Sequence, residues 1–205
     1  MKFKINFDLS DKKKLFEYWN DIIDNNVWSH GKYTELFEKK WTKFNDLFSV
    51  SFSSWAGAAE AVLKYYKLEN EIILCPSNTF QATPMISISN GCKIKFVDCN
   101  REDLCISYDD LKSKIEKYSP KAIWVVHIGG HLAFEIEKIS ELCKEKNIIL
   151  IEDCAHAHGA SYKKKKPGSW GDAGIYSLYA TKTISTGEGG ILVSKNKDLI
   201  DFSKS

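Results

Sequence analysis

The stretch "NIILIEDCAHAHGASYKKKKPGSWGDAGIYSLYATKTISTGEGGILVS", residues 147–194, holds three apolar runs separated by polar, glycine-containing segments. The runs at 147–153, 174–179 and 190–195 have the length and the β-branched content of buried strands. Asp153 ends the first run, and Lys182 is a single lysine inside the otherwise uncharged stretch 174–187 that precedes the glycine cluster and the third run. An ammonium is costly to bury unless it is paired. Lys182 therefore either snorkels out of a turn or is kept inside because chemistry needs its amine.

Further runs of the same kind precede these: 47–52, 71–75, 93–98 and 122–127. Amphipathic, helix-spaced segments lie between them near 57–67, 79–89, 108–118 and 134–146. This alternation predicts an α/β chain, a three-layer α/β/α arrangement around a mostly parallel sheet. Right-handed crossovers then bring the strand C-terminal ends to one edge, where such sheets bind ligands. The segment before residue 47 reads as two helices, 11–24 and 33–45, the second carrying Tyr33, Leu36, Phe37, Trp41 and Phe44 at helical spacing. The expected division is an N-terminal helical segment, 1–46, and a large domain, 47–205.

Composition narrows the function. A net charge of +2 gives no reason to expect nucleic acid or a membrane surface as partner. No apolar run approaches a spanning helix, and "MKFKINFDLSDKKK" lacks the apolar core of a signal peptide, so a cytoplasmic location is the default. The six cysteines are scattered without a CxxC, which predicts reduced and mostly buried thiols. Arg101 is the only arginine, so any bound anion must be held by backbone N–H groups, hydroxyls or lysine.

The strand ends carry the candidate site. In "SFSSWAGAAEAVLKYY" (51–66) a small-residue turn opens an alanine-rich helix, which offers free N–H groups and the positive end of a helix dipole to an anion; the plainer reading is that Ser54 caps the helix. "CPSNTFQAT" (75–83) repeats the arrangement, with Phe80 either a core residue or a flat platform for a ligand. Asp153 is either a helix cap or the counterion of a buried cation, and His127 in "VVHIGGH" ends its strand in the same way. Asp153, Cys154, His156 and His158 are also metal-ligand types, although no second cluster with ligand spacing accompanies them. No metal is expected. The lysine run 163–166 before Pro167-Gly168 reads as a solvated hairpin tip. An anion pocket, an aromatic, a strand-end carboxylate and a lysine together are the set that pyridoxal 5'-phosphate requires for its phosphate, ring, pyridinium nitrogen and aldehyde.

The segment "EDCAHAHGASYKKKKPGSWGDAGIYSLYATKTISTGEGGILVS" closely resembles the DegT/DnrJ/StrS family of nucleotide-sugar aminotransferases, whose pattern has D-x-x-Q/H, G-D-x-G, S-x-x-x-x-K and G-E-G-G. The resemblance extends to "SSWAGAAEAVL", "LCPSNTFQATPMISISNGCKIKFVDCN" and "VVHIGGH". It implies the type I aminotransferase fold with residues 47–205 as the cofactor-binding large domain, and, because the chain stops at "KDLIDFSKS", the absence of the family's C-terminal small domain. It also implies roles for the residues. Lys182 would bond the cofactor, Asp153 pair with its ring nitrogen, and His156 meet its hydroxyl side. Phe80 would stack on the ring. Ser177 and the backbone of Trp55 and Ala56 would hold the phosphate, with Ala56 lacking the hydroxyl of the threonine found in many members. The implied reaction moves an amino group from an amino acid, glutamate by resemblance, to a nucleotide-linked ketosugar for amino-sugar and polysaccharide biosynthesis. The implied assembly is a homodimer with its active site at the interface. A family branch that carries histidine in place of the lysine dehydrates sugars instead, so Lys182 favours transamination. Two other readings remain at this point: a non-catalytic or partner-dependent cofactor-binding remnant, and a metal-dependent hydrolase built on Asp153, His156 and His158.

Overall fold

Alternate residues of a strand face opposite sides of a sheet, and this chain uses both sides. In a computed structural model that describes residues 7–204, Ile73, Cys75, Trp124, Ile151, Ile175 and Leu192 pack into one cluster, while Leu74, Ile123, Val125 and Leu150 pack into a second. Residues 1–6, the first part of the stretch read for a leader, and Ser205 lie outside the described residues.

The seven strands are β1 (Phe48–Phe52), β2 (Ile72–Pro76), β3 (Lys93–Val97), β4 (Ala122–Val126), β5 (Ile149–Asp153), β6 (Ala173–Ser177) and β7 (Gly190–Ser194). They form one sheet in the order β1-β7-β6-β5-β4-β2-β3. All neighbours are parallel except β7, which runs antiparallel to both β6 and β1. From β2 the chain steps outward to β3, and from β4 it steps the other way through β5 to β6, so the crossovers reverse between β2 and β4. The crevice beyond the strand ends at such a reversal is where open α/β sheets take ligands.

Helices α3 (Trp55–Tyr65), α4 (Ala82–Ser89) and α7 (Lys197–Phe202) cover the first face, burying Ala58, Ala59, Val62, Leu63, Leu199 and Ile200. On the other face lie α5 (Tyr108–Tyr118) and α6 (Ile136–Lys146), through Leu111, Ile115, Ile136, Ile139 and Leu142. The sequence-based boundaries shift by a few residues, and α4 begins only at Ala82, which leaves Phe80 in the loop ahead of it.

The N-terminal helices differ in how they are held. In α2 (Lys32–Asn45), Trp41 packs with Leu47, Tyr176, Ile191 and Val193 in a third cluster. Asn45 Nδ2 donates to the Tyr176 hydroxyl at 3.0 Å. By contrast, α1 (Leu9–Asn25) has no buried residue. Among the described residues no helix is long and apolar enough to cross a membrane. The cysteines are free thiols, all buried except Cys99.

The lysine run forms the tight hairpin its position suggests. Tyr162 and Lys165 exchange backbone hydrogen bonds of 2.9 Å, and Lys163 and Lys164 take the left-handed conformation between them. What holds the following loop is a buried carboxylate. Glu152, next to Asp153 but on the opposite face of β5, accepts from the Gly168, Trp170 and Gly171 N–H groups at 2.7, 2.8 and 2.6 Å. Its fourth donor is His127, whose Nε2 lies 2.9 Å away, with both side chains 0% exposed. Ala133 N–H donates to His127 Nδ1, so the ring proton sits on Nε2 and points at Glu152. His127 is thus a structural bridge between β4 and β5.

Candidate functional site

Because β7 is antiparallel, it begins at the edge where β6 ends. The β6–β7 connection, which carries Lys182, therefore lies wholly at the ligand-binding edge. It is tied back by Thr186 N–H to Leu178 O (3.0 Å) and Lys182 N–H to Tyr179 O (2.9 Å). A cavity of about 430 Å³ opens there. All seven residues singled out from the sequence line it: Trp55, Ala56, Phe80, Asp153, His156, Ser177 and Lys182.

Three regions of the wall have distinct chemistry. The first is the start of α3. The first N–H groups of a helix have no intrahelical acceptor. Ser54 Oγ takes that of Gly57 at 3.1 Å, as a cap does, while those of Trp55 and Ala56 remain at the cavity wall. The capping reading of this turn holds, and the turn stands at the cavity. The start of β7 presses on it so closely that a Cβ on Gly190 would lie 2.4 Å from Ser54 O and 2.7 Å from Trp55 N, so only glycine fits. Ser177, at the end of β6, adds a hydroxyl to the same wall.

The second region is the floor. Asp153 is 5% exposed, and its two oxygens accept from Thr83 Oγ1 at 2.8 Å and Ala155 N–H at 3.0 Å. A carboxylate offers about four lone-pair sites, so this one retains acceptor capacity toward the cavity. Burial pushes its pKa above the ordinary carboxylate value; the bonds from Thr83 and Ala155 and the charges of His156 and Lys182 oppose that rise.

The third region is the rim. Lys182 is half-buried, not buried as the uncharged run around it suggests, because its segment is a loop and not part of a strand. Partial burial lowers its pKa, and the Asp153 carboxylate opposes the fall. His156 is exposed, and its pKa is lowered by desolvation and then by Lys182, with Asp153 acting the other way. Phe80 is 68% exposed, which excludes the core reading and leaves its ring free beside the cavity.

Of the metal-type residues, Cys154 groups with the buried His127 and Glu152 and not with its sequence neighbours. Among the described residues, Asp153, His156 and His158 share no cluster of close ligand atoms; His158 Nε2 instead bonds Ser177 O at 2.8 Å, and its ring packs on Trp41 and Tyr176. Sequence reasoning passed over Thr83, Tyr179, Thr181 and Glu188, which also line the cavity. For Thr83 the available signal was its place in the first turn of the helix after "PSNTF"; Glu188 stood in the quoted G-E-G-G without a role.

The donor set fits pyridoxal 5'-phosphate: a helix start and a hydroxyl, a buried carboxylate with spare acceptor capacity, and a lysine all line one cavity. Comparison with known proteins agrees with this geometry. The profile of the DegT/DnrJ/EryC1/StrS aminotransferase family matches residues 9–204. GDP-perosamine synthase of Escherichia coli O157:H7 is 36% identical over 196 residues, 94% of this chain and 53% of that protein. A UDP-4-amino-4,6-dideoxy-N-acetyl-beta-L-altrosamine transaminase of Campylobacter jejuni is 34% identical over 97% of this chain and 52% of its own. Helicobacter pylori PseC, an aminotransferase of pseudaminic acid biosynthesis, superposes with a TM-score of 0.84 at 28% identity, covering 97% of this chain and 53% of PseC. The chain spans about half the length of the curated relatives it matches.

Proposed function

Because the chain belongs to the DegT/DnrJ/EryC1/StrS aminotransferase family, we propose that its cavity binds pyridoxal 5'-phosphate and transfers an amino group from an amino acid to a nucleotide-linked ketosugar. The observation that carries this reading is the convergence of Trp55, Ala56, Phe80, Asp153, His156, Ser177 and Lys182 on one cavity wall. In this reading the α3 N–H groups and Ser177 hold the phosphate, Phe80 covers one face of the ring, and His156 meets its hydroxyl side. When bound, the cofactor supplies an aldehyde that carries the amino group and a cationic ring that accepts an electron pair.

The chain's own groups do the rest. Asp153 would pair with the ring nitrogen and keep a positive charge on it in a desolvated site, where such a pair is strong. Lys182 would hold the cofactor through its amine and, with that place taken by the donor amine, would take the proton from the donor's Cα as general base and deliver it as acid to the carbon that came from the aldehyde. A lysine of ordinary pKa is almost entirely protonated at neutral pH; the burial of Lys182 raises its free-base fraction.

The reading includes glutamate as donor, a cytoplasmic location, residues 47–205 as the large domain behind a 1–46 helical segment, and a homodimer closing the site. Amino-sugar and polysaccharide biosynthesis is the role it supports, in keeping with relatives that make GDP-perosamine and a UDP-linked amino sugar. A second reading, a cofactor-binding module completed by another polypeptide, draws on the open rim, where Phe80, Tyr179, Thr181 and Glu188 are all exposed. Incubating the purified chain with pyridoxal phosphate, glutamate, and GDP-, UDP- or dTDP-4-ketosugars separates them. Amino-sugar formation that stops in Lys182→Ala supports the first reading; cofactor binding without turnover supports the second; no binding defeats both.

A further inference from the structure

The Asp153 carboxylate is held from outside its own strand. Thr83, on the first turn of α4 and 0% exposed, gives the single proton of its hydroxyl to Asp153 Oδ2 at 2.8 Å. The lone pairs of Thr83 Oγ1 are thereby left to receive a donor, and Thr79 Oγ1 lies 3.1 Å away on that side. The Thr79 proton has a weaker alternative in Phe80 O at 3.3 Å. Thr79 adjoins Phe80 on the cavity rim, so two hydroxyls run in series from the rim to the floor.

The first turn of α4 cannot swing away. Ser87 Oγ receives the Trp124 indole N–H at 3.0 Å and donates to Thr83 O at 3.3 Å, which fastens the helix to β4 in the core. The direction of the Thr83 hydroxyl is set by its two partners, Asp153 Oδ2 and Thr79 Oγ1, on this fastened turn. The other titratable groups facing Asp153 are His156 and Lys182, from the loops after β5 and β6, together with the Cys75 and Cys154 thiols. Burial pushes both thiols up, so they bring no charge at neutral pH.

We propose that Thr83, oriented by Thr79, is a positioning residue for this site: its hydroxyl fixes the rotation of the Asp153 carboxylate and keeps that group an acceptor for a cationic ring nitrogen. The second half of this statement rests on the cofactor reading above; the first half does not. A fully buried carboxyl group without that donor is driven toward its protonated form, in which it would donate a proton instead of accepting one. A cationic heterocycle needs the acceptor. The hydroxyl is the requirement, and valine, which matches threonine in shape, removes it.

The test is a titration of the cofactor-free chain carrying 13C-carboxyl aspartate, with the Asp153 resonance identified by its loss in Asp153→Asn. Thr83→Val should move the Asp153 midpoint upward by about one pH unit, the lower end of what a hydrogen bond to a charged group is worth. Thr83→Ser should restore it, and Thr79→Val should move it upward by less. A midpoint in folded Thr83→Val that stays within about 0.3 unit of the parent, or moves down, overturns the proposal. If Thr83→Val does not fold, Thr79→Val decides, and an unchanged midpoint there overturns it. A parallel titration with pyridoxal phosphate keeps the two claims apart. Weakening of about tenfold or more in Thr83→Val supports both. A moved midpoint in a chain that does not bind the cofactor upholds the hydroxyl relay and removes the cofactor reading.

Discussion

Replacing Glu152 with glutamine changes one oxygen to an NH2 group and should unfold the chain far more readily than its size suggests. The carboxylate is surrounded by donors, Trp170 and Gly171 N–H on Oε1 and Gly168 N–H with His127 Nε2 on Oε2. Glutamine has one acceptor oxygen, so either rotation of its amide turns the NH2 toward two of these donors. His127 cannot relieve the conflict by changing tautomer, since its proton would then face the Ala133 N–H that now bonds Nδ1. Each buried donor left without an acceptor costs about 1–3 kcal/mol, so two cost about 2–6 kcal/mol. That is a large part of the roughly 5–15 kcal/mol available to a typical domain. At about 2–4 °C per kcal/mol for a chain of this size, the melting temperature should fall clearly. Urea unfolding of Glu152→Gln with an unchanged m value, alongside amide exchange at Gly168, Trp170 and Gly171, measures it. A loss below about 1 kcal/mol with those amides still protected would refute the view that Glu152 fastens this loop.

Other perturbations test other parts. Gly190→Ala places a methyl 2.4 Å from Ser54 O; it should weaken pyridoxal phosphate binding at least about tenfold and cost about 1–3 kcal/mol in stability, read by titration and by thermal melting. Tyr176→Phe removes the 2.6 Å donor to Pro167 O and the 3.0 Å acceptor of Asn45 Nδ2, which keep only their mutual 3.3 Å bond, and should cost about 0.5–1.5 kcal/mol in urea unfolding. Labelling of the Lys182 amine should rise with pH around a midpoint below that of exposed lysines, because burial lowers it. Since the Asp153 charge raises the Lys182 pKa, Asp153→Asn should move this midpoint further down; an unchanged midpoint would show that the two groups do not sense each other.

The strands were legible because each is a short apolar run bounded by turn residues, and the alternation with helices implied the parallel sheet. The reversed direction of β7 was not, since a hairpin-like return and a crossover leave the same apolar run in the sequence. That reversal keeps the whole β6–β7 connection, Gly189 and Gly190 included, at the site's edge. Asp153 was legible as a charge ending an apolar strand. Glu152 beside it was not: its four donors come from β4 and from the Gly168–Gly171 loop, and no local pattern announces them. Thr83 was hidden for a similar reason, because one threonine in a helix shows its role only through a partner 70 residues away. Lys182 was placed correctly at the edge but read as more deeply buried than it is, since an uncharged loop and a buried strand have similar composition.

The central claim, that Lys182 anchors a pyridoxal phosphate in this cavity, is tested most directly by borohydride reduction of the chain mixed with the cofactor, followed by peptide mapping. The account predicts a stable cofactor adduct on Lys182 that disappears in Lys182→Ala and weakens in Asp153→Asn. An adduct spread over surface lysines with Lys182 unmodified would contradict it.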